Sequence, residues 1–387
     1  MQFKDVVGQS EVKHKLISMV QSEKIPHAMM LLGPEGNGNL PLALALTQYI
    51  QCENRDENDS CGVCPSCNKN QKFIHPDVHF TFPVVTKKDE TSKGPPISSL
   101  YITEWRSALA TAPYMNVNEW LQSIGAENRQ GNITVRECHE IIKGMNLKTY
   151  EAKYKVQIIW LAEFLKEAGN TLLKVIEEPP ADTIFILIVE NIDFVLNTII
   201  SRTQLIKVNA IADEDVKQGL LKRFEMDENT AKRIARISDG NFNAAQIVAG
   251  GQESDNDKLL HRWLVCCFNL KNKPSAPNSH NLFEWVEEIS KIGRENQKLF
   301  LKYALFFLRE CAYLSLTGKS EKLEGEELKF ATGLSSKLEP GHFETISIIF
   351  NRLHYHIERN GNPKILFLSN SFKIASVFRN EEVILEA

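Results

Sequence analysis

Gly33-Pro34-Glu35-Gly36-Asn37-Gly38-Asn39-Leu40 decides the fold. The apolar run Ala28 to Leu32 precedes it, and a Leu/Ala-rich stretch follows from residue 41 to 50. This is the strand, glycine loop and helix setting of the phosphate-binding pattern G-x-x-x-x-G-K-[ST]. In that pattern backbone N–H groups cradle phosphates, the lysine reaches the β and γ oxygens, and the hydroxyl holds Mg²⁺. Here Gly33, Gly36 and Gly38 preserve the cradle, but Asn39 replaces the lysine and Leu40 the hydroxyl residue. The expectation is a nucleotide-motor fold that binds no nucleotide cofactor and turns over no ATP.

Working outward, the remaining pattern is α/β and then all-α. Residues 10–22 place Val12, Leu16, Ile17 and Val20 on one helical face. His79 to Val85, Val156 to Leu161 and Ile184 to Val189 have strand length, and the last two are nearly continuous apolar runs suited to a parallel sheet covered on both faces. Residues 100–125 carry Trp105, Leu109, Trp120 and Leu121 at helical spacing, and Ile133 to Leu147 reads as another helix. A helix containing Leu172, Leu173, Val175 and Ile176 stops at Glu177-Glu178-Pro179-Pro180. Polar Thr86 to Pro96 reads as a surface loop. The spacing predicts an α/β domain over 1–208, with an insertion at about 86–131. Helices at Asp213 to Phe224, Thr230 to Ser238 and from Ala244 onward form a small lid domain over 209–250, with Asp239-Gly240-Asn241 as the turn before the last. A linker at Gly250 to Asp257 leads to a helical domain over 256–387.

Cys52, Cys61, Cys64 and Cys67 contain two overlapping C-x-x-C steps, a spacing that lets sulfurs converge on one ion. Four thiolates close the coordination shell, so a structural zinc module over about 52–78 is expected. An iron–sulfur cluster also takes four cysteines, though no redox partner site is apparent. Cys138, Cys266, Cys267 and Cys311 sit in apolar helical patterns and read as core. His27 and His75 have no partners at metal-ligand spacing, so packing or hydrogen-bonding roles are expected. Trp105 and Trp120 read as core or as a partner surface.

At 387 residues, with 43% hydrophobic and 24% charged residues, the chain has ample material for two or three cores. No apolar run approaches the ~18–20 residues of a membrane span, and Met1-Gln2-Phe3-Lys4-Asp5 does not open a signal peptide. A cytoplasmic, reduced protein is expected. A net charge of −4 lacks the basic signature of an autonomous nucleic-acid binder.

Several elements in order now point to a family. Phe3-Lys4-Asp5-Val6-Val7-Gly8-Gln9, Pro26-His27-Ala28, the 33–40 loop, the four cysteines and His75-Pro76-Asp77 resemble the opening of bacterial clamp-loader subunits of the AAA+ class. Asn170 to Pro180 resembles that family's signature helix, and Ser201-Arg202-Thr203 its Ser-Arg-Cys element, with Thr203 in place of the cysteine. The resemblance implies an AAA+ parallel-sheet domain, a helical lid, and a C-terminal helical collar used for oligomerisation. In motor subunits an apolar strand ends in Asp-Glu. Here Trp160 and Leu161 hold those two positions. Val189 and Glu190 fall where sensor threonines lie, and Asn243 where a phosphate-sensing arginine is expected.

These losses resemble the delta-prime branch of the family, the non-hydrolysing end subunits of the DNA polymerase III clamp loader. That branch implies partners: the motor (gamma/tau) and delta subunits, and, through the complex, the sliding clamp and primer-template DNA. Arg202, with Ser201, resembles the arginine finger that reaches a neighbour's ATP. The other reading of Arg202 is a surface arginine at a helix end. Glu177 and Glu178, adjacent on a helix, point in different directions and read as capping or interface residues rather than a catalytic pair. A divergent but active NTPase is the alternative function.

Overall fold

The computed structural model describes residues 1–86, 94–126, 129–250, 256–270, 276–320, 322–323, 325–359, 361–381 and 383. The chain divides into two compact units, Met1–Gln246 and Ile247–Ala387.

Unit one is built on a five-stranded sheet in which every pairing is parallel. The strands are β1 (Ala28–Leu32), β2 (Val78–Thr81), β3 (Lys155–Trp160), β4 (Thr183–Val189) and β5 (Gln204–Lys207), in the order β2-β3-β4-β1-β5. Alternation along the strands splits the core between two faces. Met29, Leu31, Ile158, Trp160, Ile186 and Ile188 join one cluster; Met30, Ile159, Phe185, Leu187 and Val189 join the other. Helices α1 (Ser10–Gln21), α2 (Asn39–Gln51), α4 (Ile102–Thr111) and α5 (Val117–Ser123) contribute to the first cluster. Helices α6 (Val135–Met145), α7 (Leu173–Glu177) and α8 (Asn197–Ile200) contribute to the second. Between α2 and β2 lies the short α3 (Pro65–Gln71), with proline at its first turn. After β5 come α9 (Asp213–Arg223), α10 (Glu228–Ser238) and α11 (Phe242–Ala249). Asp239 and Gly240, at φ 48° and 79°, make the expected turn before α11.

Three local expectations need correction. The strand expected over His79 to Val85 ends at Thr81; Pro83 has no N–H to offer a ladder, and Val84 makes only an isolated antiparallel bridge to Asn132. The expected helix before Glu177 is mostly a 3-10 run, Ala162–Leu172, broken at Lys166 with φ 47° and ψ −136°. Only α7 is α-helical. Strand β5 was not foreseen: four residues, of which Ile206 alone is buried, carry too little apolar pattern. Of the expected surface loop, 87–93 lie outside the described residues, as do 127–128 of the insertion and 251–255 of the linker.

Unit two is helical throughout its described residues, with α12 (Asn256–Leu270), α13 (Ala276–Lys291), α14 (Arg294–Thr317), α15 (Gly325–Ser335), α16 (Pro340–Glu358) and α17 (Pro363–Phe378). Its core centres on Trp263, which stacks on Trp285 at 4.9 Å and on Phe350 at 5.3 Å. Both indoles are satisfied, Trp263 Nε1 donating to Ser371 Oγ and Trp285 Nε1 to the Leu259 carbonyl, each near 2.9 Å. Among the described residues, no helix is long and apolar enough to cross a membrane.

Candidate functional site

The glycine loop connects β1 to α2 at the end of the sheet, and several of its polar groups bond to its own chain, while Asn37 Nδ2 and Asn39 Oδ1 are buried without a hydrogen-bond partner. The Asn39 side chain is buried and turns back, Nδ2 donating to the Gly33 carbonyl at 2.5 Å. The Gly33 N–H donates to the Val189 carbonyl at 3.1 Å, the Gly36 carbonyl accepts from the Phe242 N–H at 3.0 Å, and the Asn37 carbonyl accepts from Gln9 Nε2 at 3.0 Å. Gly36 has φ 77°, and a Cβ there would lie 1.8 Å from Asn241 Oδ1, so only glycine fits beneath the start of α11. Leu40 is buried in the core.

Residues of the insertion close over this loop. The Tyr114 hydroxyl accepts from the Val7 N–H at 2.8 Å, and its ring packs edge-on against Phe242 at 4.9 Å. Burial pushes its phenol up to about 12, so it stays neutral. Arg223 lies over both rings. Asn241 Nδ2 donates to Glu35 Oε1 at 3.3 Å. Asn243 donates to Glu119 Oε2 at 2.7 Å, while Asn116 and Glu119 form a reciprocal capping box at the start of α5. Asn243, expected at a phosphate sensor, thus faces a carboxylate of the insertion.

At the end of β3, Trp160 and Leu161, at the positions where the resemblance leads one to expect metal-ordering acids, are both buried. Trp105 packs on Trp160 with ring centroids 5.1 Å apart, stacks on Phe82 at 4.1 Å and meets Trp120 edge-on at 5.1 Å. Of the two readings of Trp105 and Trp120, core is the one observed. Beyond β4, the Glu190 N–H donates to Glu163 Oε1 at 3.1 Å; burial pushes the Glu163 carboxyl up.

Arg202 follows α8 at the surface, its side chain about one-third exposed. Nε donates to Glu177 Oε2 at 2.6 Å, and Nη1 donates to the Thr198 carbonyl at 3.0 Å and to Ser201 Oγ at 3.4 Å. Ser201 and Thr203 turn their hydroxyls onto carbonyls of α8. Glu177 is therefore Arg202's partner, an intramolecular pairing that adjacent carboxylates in a sequence do not reveal.

A second site lies between α2 and α3. The Sγ atoms of Cys52, Cys61, Cys64 and Cys67 all lie within 4.8 Å of one another. A tetrahedron with Zn–S of about 2.3 Å needs sulfurs about 3.8 Å apart, and Cys61 and Cys67 are at 3.9 Å. N–H groups of Cys61, Cys64 and Cys67 donate to the sulfurs of Cys52, Cys61 and Cys64 at 3.3–3.4 Å. Hydrogen bonds from the Val63 and Cys64 N–H groups hold the Cys61 thiol down at about 6, whereas burial pushes Cys52 and Cys67 up. A divalent cation would convert all four to thiolates. The donor set is compatible with zinc. Nearby, His75 is buried, its Nδ1 accepting from the Asp77 N–H at 3.2 Å, and the Asp77 carboxylate accepts from three backbone N–H groups, of Tyr150, Glu151 and Ala152, at 2.6–2.9 Å. His75 is a hydrogen-bonded core histidine. Cys138, Cys267 and Cys311 are buried as expected, and Cys266 is half-buried.

The family model described as DNA polymerase III, delta subunit, matches residues 8–212, more than half of the chain. The chain belongs to this bacterial clamp-loader family. Curated relatives in the clamp-loader family include DNA polymerase III subunit gamma of Buchnera aphidicola from Acyrthosiphon pisum, 24% identical over 63% of this chain and 56% of that one. Subunit tau of Bacillus subtilis is 23% identical over 94% of this chain and 60% of that one. Subunit delta′ of Escherichia coli is 24% identical over 73% of this chain and 68% of that one. The chain thus spans less than two thirds of the gamma and tau relatives. Its five-stranded parallel sheet, the helices on both faces and the cysteine cluster give this member an α/β fold with a four-cysteine module.

Proposed function

We propose that this chain is the non-hydrolysing, delta-prime-type subunit of a DNA polymerase III clamp loader, and that it lends Arg202 to the ATP site of a neighbouring motor subunit. The observation that carries this reading is Asn39, which occupies the lysine position and bonds its own loop at Gly33. Leu40, Trp160 and Leu161 add that no side chain at the usual positions can hold Mg²⁺. A site without the lysine or the metal lacks the charge stabilisation that phosphoryl transfer requires. Arg202, by contrast, keeps its guanidinium at the surface, where its planar fork suits charge developing on a γ-phosphate.

In this reading residues 1–208 form an α/β domain and residues 209–250 a helical lid. Residues 256–387 form the collar that joins the subunit to gamma/tau-type motor subunits and a delta subunit. The complex places the sliding clamp on primer-template DNA in the cytoplasm, as part of the polymerase holoenzyme. Zinc held by Cys52, Cys61, Cys64 and Cys67 is structural.

ATP turnover by the isolated chain tests the first half of the reading. No hydrolysis above background is expected, and Asn39→Lys alone should not create it, because the metal ligands are still missing. Magnesium-dependent ATP binding at micromolar concentration by the unmodified chain would contradict the assignment.

A further inference from the structure

Arg202 is held along one edge. Its Nε–H donates to Glu177, and Nη1 is spent on the Thr198 carbonyl and Ser201 Oγ. Among the described residues no hydrogen bond engages Nη2, which leaves that corner of the guanidinium for an outside acceptor. Glu177 ends α7, whereas Arg202 follows α8, so the pair joins two short elements that neighbour each other. Both side chains are partly exposed, and an exposed ion pair contributes little to stability. Its effect on orientation is larger. Arginine has four rotatable side-chain bonds, and a carboxylate on Nε with a carbonyl on Nη1 selects one arrangement of them.

We infer that Glu177 is a positioning residue for the Arg202 finger: it pre-orders the guanidinium so that Nη2 meets the neighbour's γ-phosphate without a further ordering cost. The inference rests on the reading of Arg202 above. Ordering done in the folded chain is not repeated at the barrier, so it raises the rate of the chemical step rather than the affinity for ATP. Glu178 provides the contrast. It carries the same charge one residue on, as the C-cap of α7, and makes no bond to Arg202.

The test uses the loader reconstituted from this full chain with its gamma/tau-type and delta-type subunits, followed by single-turnover ATP hydrolysis and steady-state kinetics. Glu177→Ala should slow hydrolysis at the site facing this subunit by about 3- to 10-fold, the scale of one side chain's ordering, with KM unchanged. Glu177→Gln should fall between, since an amide carbonyl still accepts from Nε–H. Glu178→Ala should match wild type. The double variant Arg202→Ala/Glu177→Ala should be no slower than Arg202→Ala alone. A Glu177→Ala loader that runs faster than wild type would mean that Glu177 competes for the finger, and would overturn the inference. So would one that matches Glu178→Ala, or a double variant slower than Arg202→Ala. If Arg202→Ala itself has no effect, the finger reading fails first and this inference with it. Melting curves of each variant accompany the assay; should Glu177→Ala fold poorly, Glu177→Gln and the double variant still decide.

Discussion

Asp77 and Arg202 illustrate how a charged side chain's neighbours decide its role. Burial alone would raise the Asp77 carboxyl, but the N–H groups of Ala152, Glu151 and Tyr150 outweigh it and hold the group below the ordinary aspartate value. A depressed folded value contributes stability above the unfolded value, about pH 4, and loses it as pH falls through the folded one. Asp77→Asn is therefore expected to lower stability at pH 7 by about 2 kcal/mol, the scale of charged hydrogen bonds to a buried acceptor. Denaturant titrations should show the gap to wild type narrowing below about pH 4. A gap that stays constant with pH would mean that the carboxylate charge is not what the three N–H groups recognise. The sequence marks Asp77 only as part of His-Pro-Asp; its three donors come from residues over seventy positions later, beyond the reach of local pattern.

Among elements, the four-cysteine module and the insertion differ in how far the sequence reveals them. Sulfur spacing is a local property, so Cys52, Cys61, Cys64 and Cys67 are legible without a structure. Elemental analysis should find about one zinc per chain, and Cys64→Ser or chelation should loosen residues 52–78, because metal-binding free energy is folding free energy there. A metal-free module with unchanged melting would contradict this. The strands β1, β3 and β4 are legible too, since parallel strands covered on both faces are apolar throughout. Strand β5 and the 3-10 run before α7 are not, because the sheet edge and the kink at Lys166 are imposed by tertiary context. The insertion's role is equally hidden: Tyr114, Asn116 and Glu119 meet the glycine loop and α11 through contacts of long sequence separation. These contacts predict that Tyr114→Ala, combined with Glu119→Ala, speeds amide exchange in α11 while the sheet stays protected. Unaltered exchange in α11 would show that the insertion does not hold it.

At the scale of the molecule, the proposed reading joins a glycine loop that lacks the lysine to an arginine at the surface, and this asymmetry is the centre of the account. The contacts around Gly36 and the aromatic packing at Trp160 are internal to unit one. Arg202 lies at the surface, paired with Glu177 along one edge, and in the proposed reading its free corner meets a neighbour's phosphate. The most direct measurement is the DNA- and clamp-stimulated ATPase of a loader reconstituted with Arg202→Ala in this subunit. An arginine finger contributes about 10³-fold or more at one site, but motor sites facing other subunits keep their own fingers. The expected result is an assembled complex with normal zinc content and a partial fall in ATPase and clamp-loading rate, poorly restored by Arg202→Lys, which lacks the planar fork. A complex that assembles and loads clamps at the wild-type rate with alanine at position 202 would contradict the account.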